Sequence, residues 1–116
     1  MPFSSGVNRV FLVGQISDEP EWQVINQQRL LCFLLATVED IKKDGGSHKH
    51  TELHHIKIPP ELIAEDNSLK PGDLLYVQGK LQTHVVFENQ VKLYKTEVMV
   101  TSFEKLKFSK EGIEIV

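Results

Sequence analysis

The feature that most constrains this chain is the period of its apolar residues. From Val7 to Ile16, Arg29 to Val38, Thr51 to Ile58, Leu74 to Val86 and Val91 to Phe103, β-branched, aromatic and aliphatic side chains alternate with polar ones or run on without a break. Neither pattern makes the three-and-four-residue stripe of an amphipathic helix, so each stretch predicts a strand. Leu30 to Ala36 is apolar throughout, as expected where both faces of a strand are covered. Turn-forming residues punctuate the runs: Ser17-Asp18-Glu19-Pro20, a hairpin tip at Asp44-Gly45-Gly46-Ser47, Pro59-Pro60, Lys70-Pro71-Gly72-Asp73, and a hairpin at Glu88-Asn89-Gln90. One short helix is expected from Pro60, whose missing N–H is no loss in a first turn, with Glu61 and Glu65 flanking Leu62, Ile63 and Ala64.

Strand, strand, strand, helix, strand, strand is the plan of the OB-fold, a partly open five-stranded barrel. The expected class is therefore all-β with one short helix. The barrel domain is expected over residues 1–108 and a short C-terminal extension over 109–116, where Ile113 and Ile115 offer a sixth strand or an arm on a neighbouring subunit. A chain of 116 residues can bury roughly two-thirds of its unfolded surface, enough for one core without metal or disulfide staples. Its 41% hydrophobic content, with six Phe, two Tyr and one Trp, excludes a disordered chain. The longest apolar run is too short to span a bilayer, so no membrane partner is expected. One cysteine permits no internal disulfide, and the opening Met1-Pro2-Phe3-Ser4-Ser5-Gly6 lacks the order of a secretion signal. A reducing compartment is expected, cytoplasmic or an organelle matrix.

Charge is unevenly spread. The formal net charge is −3, yet residues 42–57 set Lys42, Lys43, Lys49 and Lys57 against Asp44 and Glu52, and residues 80–95 set Lys80, Lys92 and Lys95 against Glu88. Each window carries +2, and His48, His50, His54, His55 and His84 all fall inside them. A polyanion would be drawn to these windows and repelled elsewhere. Nothing converges as an active site: Cys32 lies in the most apolar strand, and Gly45-Gly46-Ser47 lacks the spacing of a phosphate loop. His48, His50, His54 and His55 lack the ordered spacing of a zinc site, and His54 and His55 point to opposite faces of a strand. No enzyme activity, cofactor or metal is expected. Binding of a single strand needs cations for phosphates and flat side chains for bases, which singles out Lys42, Lys43, Lys49, His54, Lys57, Phe87, Lys92, Tyr94 and Lys95. Phe87 and Tyr94 serve equally well as a cross-strand pair that holds their hairpin together.

Gly6 to Gly14 (Gly-Val-Asn-Arg-Val-Phe-Leu-Val-Gly), Glu19-Pro20-Glu21, Leu35-Ala36-Thr37, Thr51-Glu52-Leu53-His54, Gly72 to Thr83 and Tyr94-Lys95-Thr96-Glu97-Val98 stand in this order along the chain. Taken together, these stretches resemble the bacterial-type single-stranded DNA-binding protein family. The resemblance implies a homotetrameric OB-fold that coats single-stranded DNA in replication, recombination and repair, associated with the nucleoid. It adds Arg9, Leu53 and His84 to the residues expected on the nucleic acid, and puts Asn8, Val10 and His54 at or near subunit contacts. The chain also departs from the family, which places aromatic rings where Leu53 stands, near Ile41, near Pro59 and in the region of Val86 and Phe87. Only Phe87 offers a ring. Expected basic positions hold His55, Gln82 and His84, largely neutral at pH 7. Binding is therefore expected to be weak for the family, indifferent to sequence and strongly salt-dependent. The family's linker and acidic tip have no counterpart before Val116, so recruitment of repair proteins through a tip is not expected. Two other readings stay open: a dimeric module like primosomal replication protein N that bridges replication or repair proteins, and a protein-interaction barrel without nucleic-acid binding.

Overall fold

The computed structural model describes residues 5–64 and 68–116. Residues 1–4, read above for a secretion signal, and Glu65 of the expected helix lie outside them. The strands are β1 (Val10–Ile16), β2 (Glu21–Ile25), β3 (Gln28–Lys43), β4 (Gly46–Ile58), β5 (Leu74–Glu88), β6 (Val91–Ser109) and β7 (Gly112–Ile115).

The five expected strands, β1, β3, β4, β5 and β6, form a closed ring. β1 pairs antiparallel with β5, β5 with β6, β4 with β3, and β3 returns to β1 at Gln15↔Ala36 and Ile16↔Leu35. The ring is completed by a short parallel seam between β4 and β6, at Ile56↔Val98 and Lys57↔Met99. This is the barrel of the OB-fold. Its interior is filled by inward-facing residues of every strand, among them Ile16, Phe33, Leu35, Ile56, Ile58, Leu75, Val77, Val98 and Val100. Burying each such side chain contributes about 1.5–3 kcal/mol. Two glycines let the ring close. A Cβ on Gly14 would strike the Ala36 carbonyl where β1 meets β3, and a Cβ on Gly79 would strike the Met99 carbonyl at the β-bulge that bends β5 around β6.

Four expectations change. β2 was not anticipated, because Glu21 to Ile25 is mostly exposed and its alternation is weak. It forms by pairing with β3 through a two-residue turn in which Asn26 and Gln27 take φ of 51° and 66°, a hairpin geometry that asparagine tolerates. The helix is a single 3-10 turn over Pro60–Leu62. Its bonds run from Leu62 N–H to the Pro59 carbonyl and from Ile63 N–H to the Pro60 carbonyl, and Ile63 then turns extended so that it and Leu62 pack on the core. The β3–β4 hairpin is longer than the apolar pattern, since β3 and β4 continue to Lys43 and from Gly46 with both faces wet beyond Val38. Ladder hydrogen bonds do not require burial, so this extension has no hydrophobic signature. Finally, β6 runs past Phe103 to Ser109, and β7 folds back on it from Ser109↔Gly112 to Leu106↔Ile115, the added-strand alternative of the two expected for the tail.

Candidate nucleic-acid interface

Residues opposed in an antiparallel ladder share a face, so register sorts the expected site residues. On the β3–β4 pair, Lys42, Lys49, Leu53, His55 and Lys57 lie on the face turned away from the core, opposite Ser47, Asp40, Ala36, Leu34 and Cys32. The seam carries this outer face onto β6, where Lys57 sits beside Met99, and register places Glu97, Lys95 and His84 on the same side. The barrel therefore unites Lys42, Lys49, Leu53, Lys57, His84 and Lys95 across four strands. Phe87, Lys92 and Tyr94 sit on the other face of the β5–β6 hairpin, with Lys92 Nζ 5.4 Å from the centre of the Tyr94 ring. Phe87 opposes Lys92 and Tyr94 opposes Val85, so the two rings are diagonal neighbours. Lys43 likewise lies on the face opposite Lys42. Arg9 is exposed just before β1.

The cations differ in how their charge is spent. Lys57, expected to meet phosphate, is buried, and its Nζ lies 2.6 Å from Glu97 Oε2 with the two side chains only 10% and 12% exposed. Its charge is neutralised inside the protein, which corrects the expectation of a free cation. Glu97 Oε1 in turn meets His84 Nε2 at 2.7 Å. Lys49 contacts Asp40 at 3.3 Å on the exposed hairpin. Among the described residues, Lys42 and Lys95 have no carboxylate within ion-pair distance. Leu53 is 51% exposed on this face. Cys32, opposite Lys57, has its thiol pushed up from the usual value by burial, against the lowering pull of Lys57. Glu97 escaped the sequence reading, although a lysine between Ile56 and Ile58 at the end of an apolar strand signals that some acid must be close.

The residues expected at subunit contacts have partners within the chain. The Asn8 amide donates to the Leu81 carbonyl and its oxygen accepts from Leu81 N–H, both at 2.9 Å, which ties the segment before β1 to β5. Val10 packs against the core, and His54 Nε2 lies 2.9 Å from the Thr37 hydroxyl. Phe11, Val13 and Val38, which line one shallow depression with His54, are exposed. Among the described residues no cluster of three or more His, Cys, Asp and Glu side chains could hold a metal, and no helix is long and apolar enough to cross a membrane.

Against known proteins, the model of the single-strand binding protein family matches residues 7–106. The chain belongs to the single-strand binding protein family. Within the family, the chain is 33% identical over 106 residues to Single-stranded DNA-binding protein 1 of Chlorobaculum tepidum, a match that covers 87% of this chain and 65% of that protein. The chain thus spans just under two-thirds of that relative's length. In three dimensions it is similar to Plasmodium falciparum SSB in complex with ssDNA, with TM-score 0.77, 22% identity and 99% of both chains covered. It is also similar to the small single-stranded DNA-binding protein from Streptomyces coelicolor, with TM-score 0.63, 17% identity, and 84% of this chain and 92% of that one covered. A deletion mutant of the single-stranded DNA binding protein from Thermus aquaticus gives TM-score 0.74 and 19% identity, covering 97% of this chain and 56% of that one. At such identities these likenesses establish the OB-fold.

Proposed function

We propose that this chain binds single-stranded DNA without sequence specificity along the outer face of β3, β4 and β6. The observation that carries the reading is the register that puts Lys42, Lys49, Leu53, His55 and Lys95 on one face of a family barrel. Cations there neutralise phosphates while Leu53 gives an apolar surface in place of a stacking ring, so electrostatics is the main source of affinity. Arg9, Lys43 and the Phe87, Lys92 and Tyr94 group are secondary contacts that the strand meets where it leaves this face. Self-association as a homotetramer or homodimer is supported by the exposed Phe11 and Val13 of β1, close to His54. Family membership supports roles in replication, recombination and repair as part of this proposal.

Titration of fluorescently labelled oligo-dT over a series of salt concentrations tests the reading. The logarithm of the association constant should fall with log salt at about −0.7 per phosphate neutralised, and Lys49→Glu with Lys95→Glu should weaken binding and flatten the slope. A flat response in the wild-type protein would overturn it. Light scattering that gives a clean monomer at micromolar concentration would remove the self-association.

A further inference from the structure

Glu97 lies on the outer face between Lys57 and His84. One carboxylate oxygen meets the Lys57 ammonium at 2.6 Å and the other meets the His84 imidazole at 2.7 Å. A carboxylate with each oxygen on a different nitrogen donor makes the contacts that a DNA phosphate would make with the same pair. Stability alone does not call for such a pair, because apolar side chains of similar volume fill a seam without desolvating two charges. We propose that Glu97 is an internal stand-in for phosphate: it withholds Lys57 and His84 from the strand and so sets down the affinity of the outer face.

The inference rests on the proposed binding of single-stranded DNA along this face. Access to the withheld lysine exists. An open pocket of about 460 Å³ is lined by Lys57 and Glu97 together with Cys32, His55 and Lys95. A phosphate that enters there meets Lys95 and His55 first and then competes with Glu97 for Lys57. Asp18, Glu19 and Glu21, the last paired with Cys32, also line the pocket and oppose that entry, so in the wild-type protein the competition favours Glu97.

The test compares wild type, Glu97→Gln, and the double variant Lys57→Met with Glu97→Gln, each confirmed folded by circular dichroism. Oligo-dT binding is titrated over a salt series at one fixed pH. Glu97→Gln should bind more tightly than wild type and steepen the salt slope by about 0.7, the share of one phosphate taken up by Lys57. The double variant should keep the wild-type slope, since a withheld pair exchanges no counterions. A folded Glu97→Gln with the wild-type slope would overturn the proposal. So would a double variant whose slope is shallower by about 0.7, because Lys57 would then already sit on phosphate in the wild type. If Glu97→Gln does not fold, the double variant, which buries no unpaired charge, decides by the same criterion. Wild-type protein that shows no salt-dependent binding would instead bring down the function reading itself, which separates the two failures.

Discussion

Two lysine–carboxylate pairs on the outer face of the barrel share their chemistry and differ in their surroundings. Lys57 and Glu97 meet at 2.6 Å across the seam, 10% and 12% exposed, whereas Lys49 and Asp40 meet at 3.3 Å out on the β3–β4 hairpin, 76% and 68% exposed. In the seam both charges have left water, so each depends on the other, and removing one leaves a buried charge without compensation. On the hairpin, water and salt already screen both charges, and the pair contributes little beyond what either ion gains alone. A lysine counted from sequence is thus a fixed part of the fold at one site and a cation open to exchange at the other. Phosphate binding draws on the second kind.

The comparison breaks most readily at the seam. Lys57→Met leaves Glu97 without its ammonium partner and should lower stability by about 3–5 kcal/mol, while Lys57→Met with Glu97→Leu should restore most of the loss. Urea unfolding of the two variants reads this directly, and a single variant as stable as wild type would show that the seam is wetter than its burial implies. Leu53→Trp probes the face between the two pairs. A ring at this half-exposed position should tighten oligo-dT binding by about 1–3 kcal/mol and add fluorescence quenching beyond that of Trp22. If instead the side chain is needed in a subunit contact, overpacking should lower the thermal midpoint with no gain in affinity.

Cys32 sharpens the contrast from the opposite strand. Burial raises its pKa, so at a given pH less thiolate is present, and a thiol reagent should label the folded protein more slowly than the urea-unfolded chain. Equal rates would mark the seam as open to solvent. The smallest effect belongs to the hairpin: Asp40→Ala should change stability by less than about 0.5 kcal/mol, and less still in high salt. A loss comparable to that of Lys57→Met would erase the distinction between the pairs.

Much of the fold is legible in the sequence. The strands of the ring are the runs whose apolar residues had to be buried, and turns such as Lys70-Pro71-Gly72-Asp73 and Glu88-Asn89-Gln90 carry their conformation in their residue types. β2 and the outer half of the β3–β4 hairpin were not legible, because their ladders are held by backbone hydrogen bonds that leave no apolar pattern. The turn at Pro60–Leu62 was legible as a break in the strands but not as a single turn, since the packing of Leu62 and Ile63 on the core ends it.

The candidate site divides along the same line. Sequence alone determined which residues carry charge, that they gather in two windows, and, through the resemblance, the family to which the barrel belongs. Only the tertiary structure decided which of them share a face, because register depends on pairing between strands far apart in the chain, and a shift of one residue exchanges the two faces. It also decided which charges are free. Lys57 and Glu97 are forty residues apart in sequence, and the parallel seam of β4 and β6 alone brings them together in a place too dry for either to stand by itself.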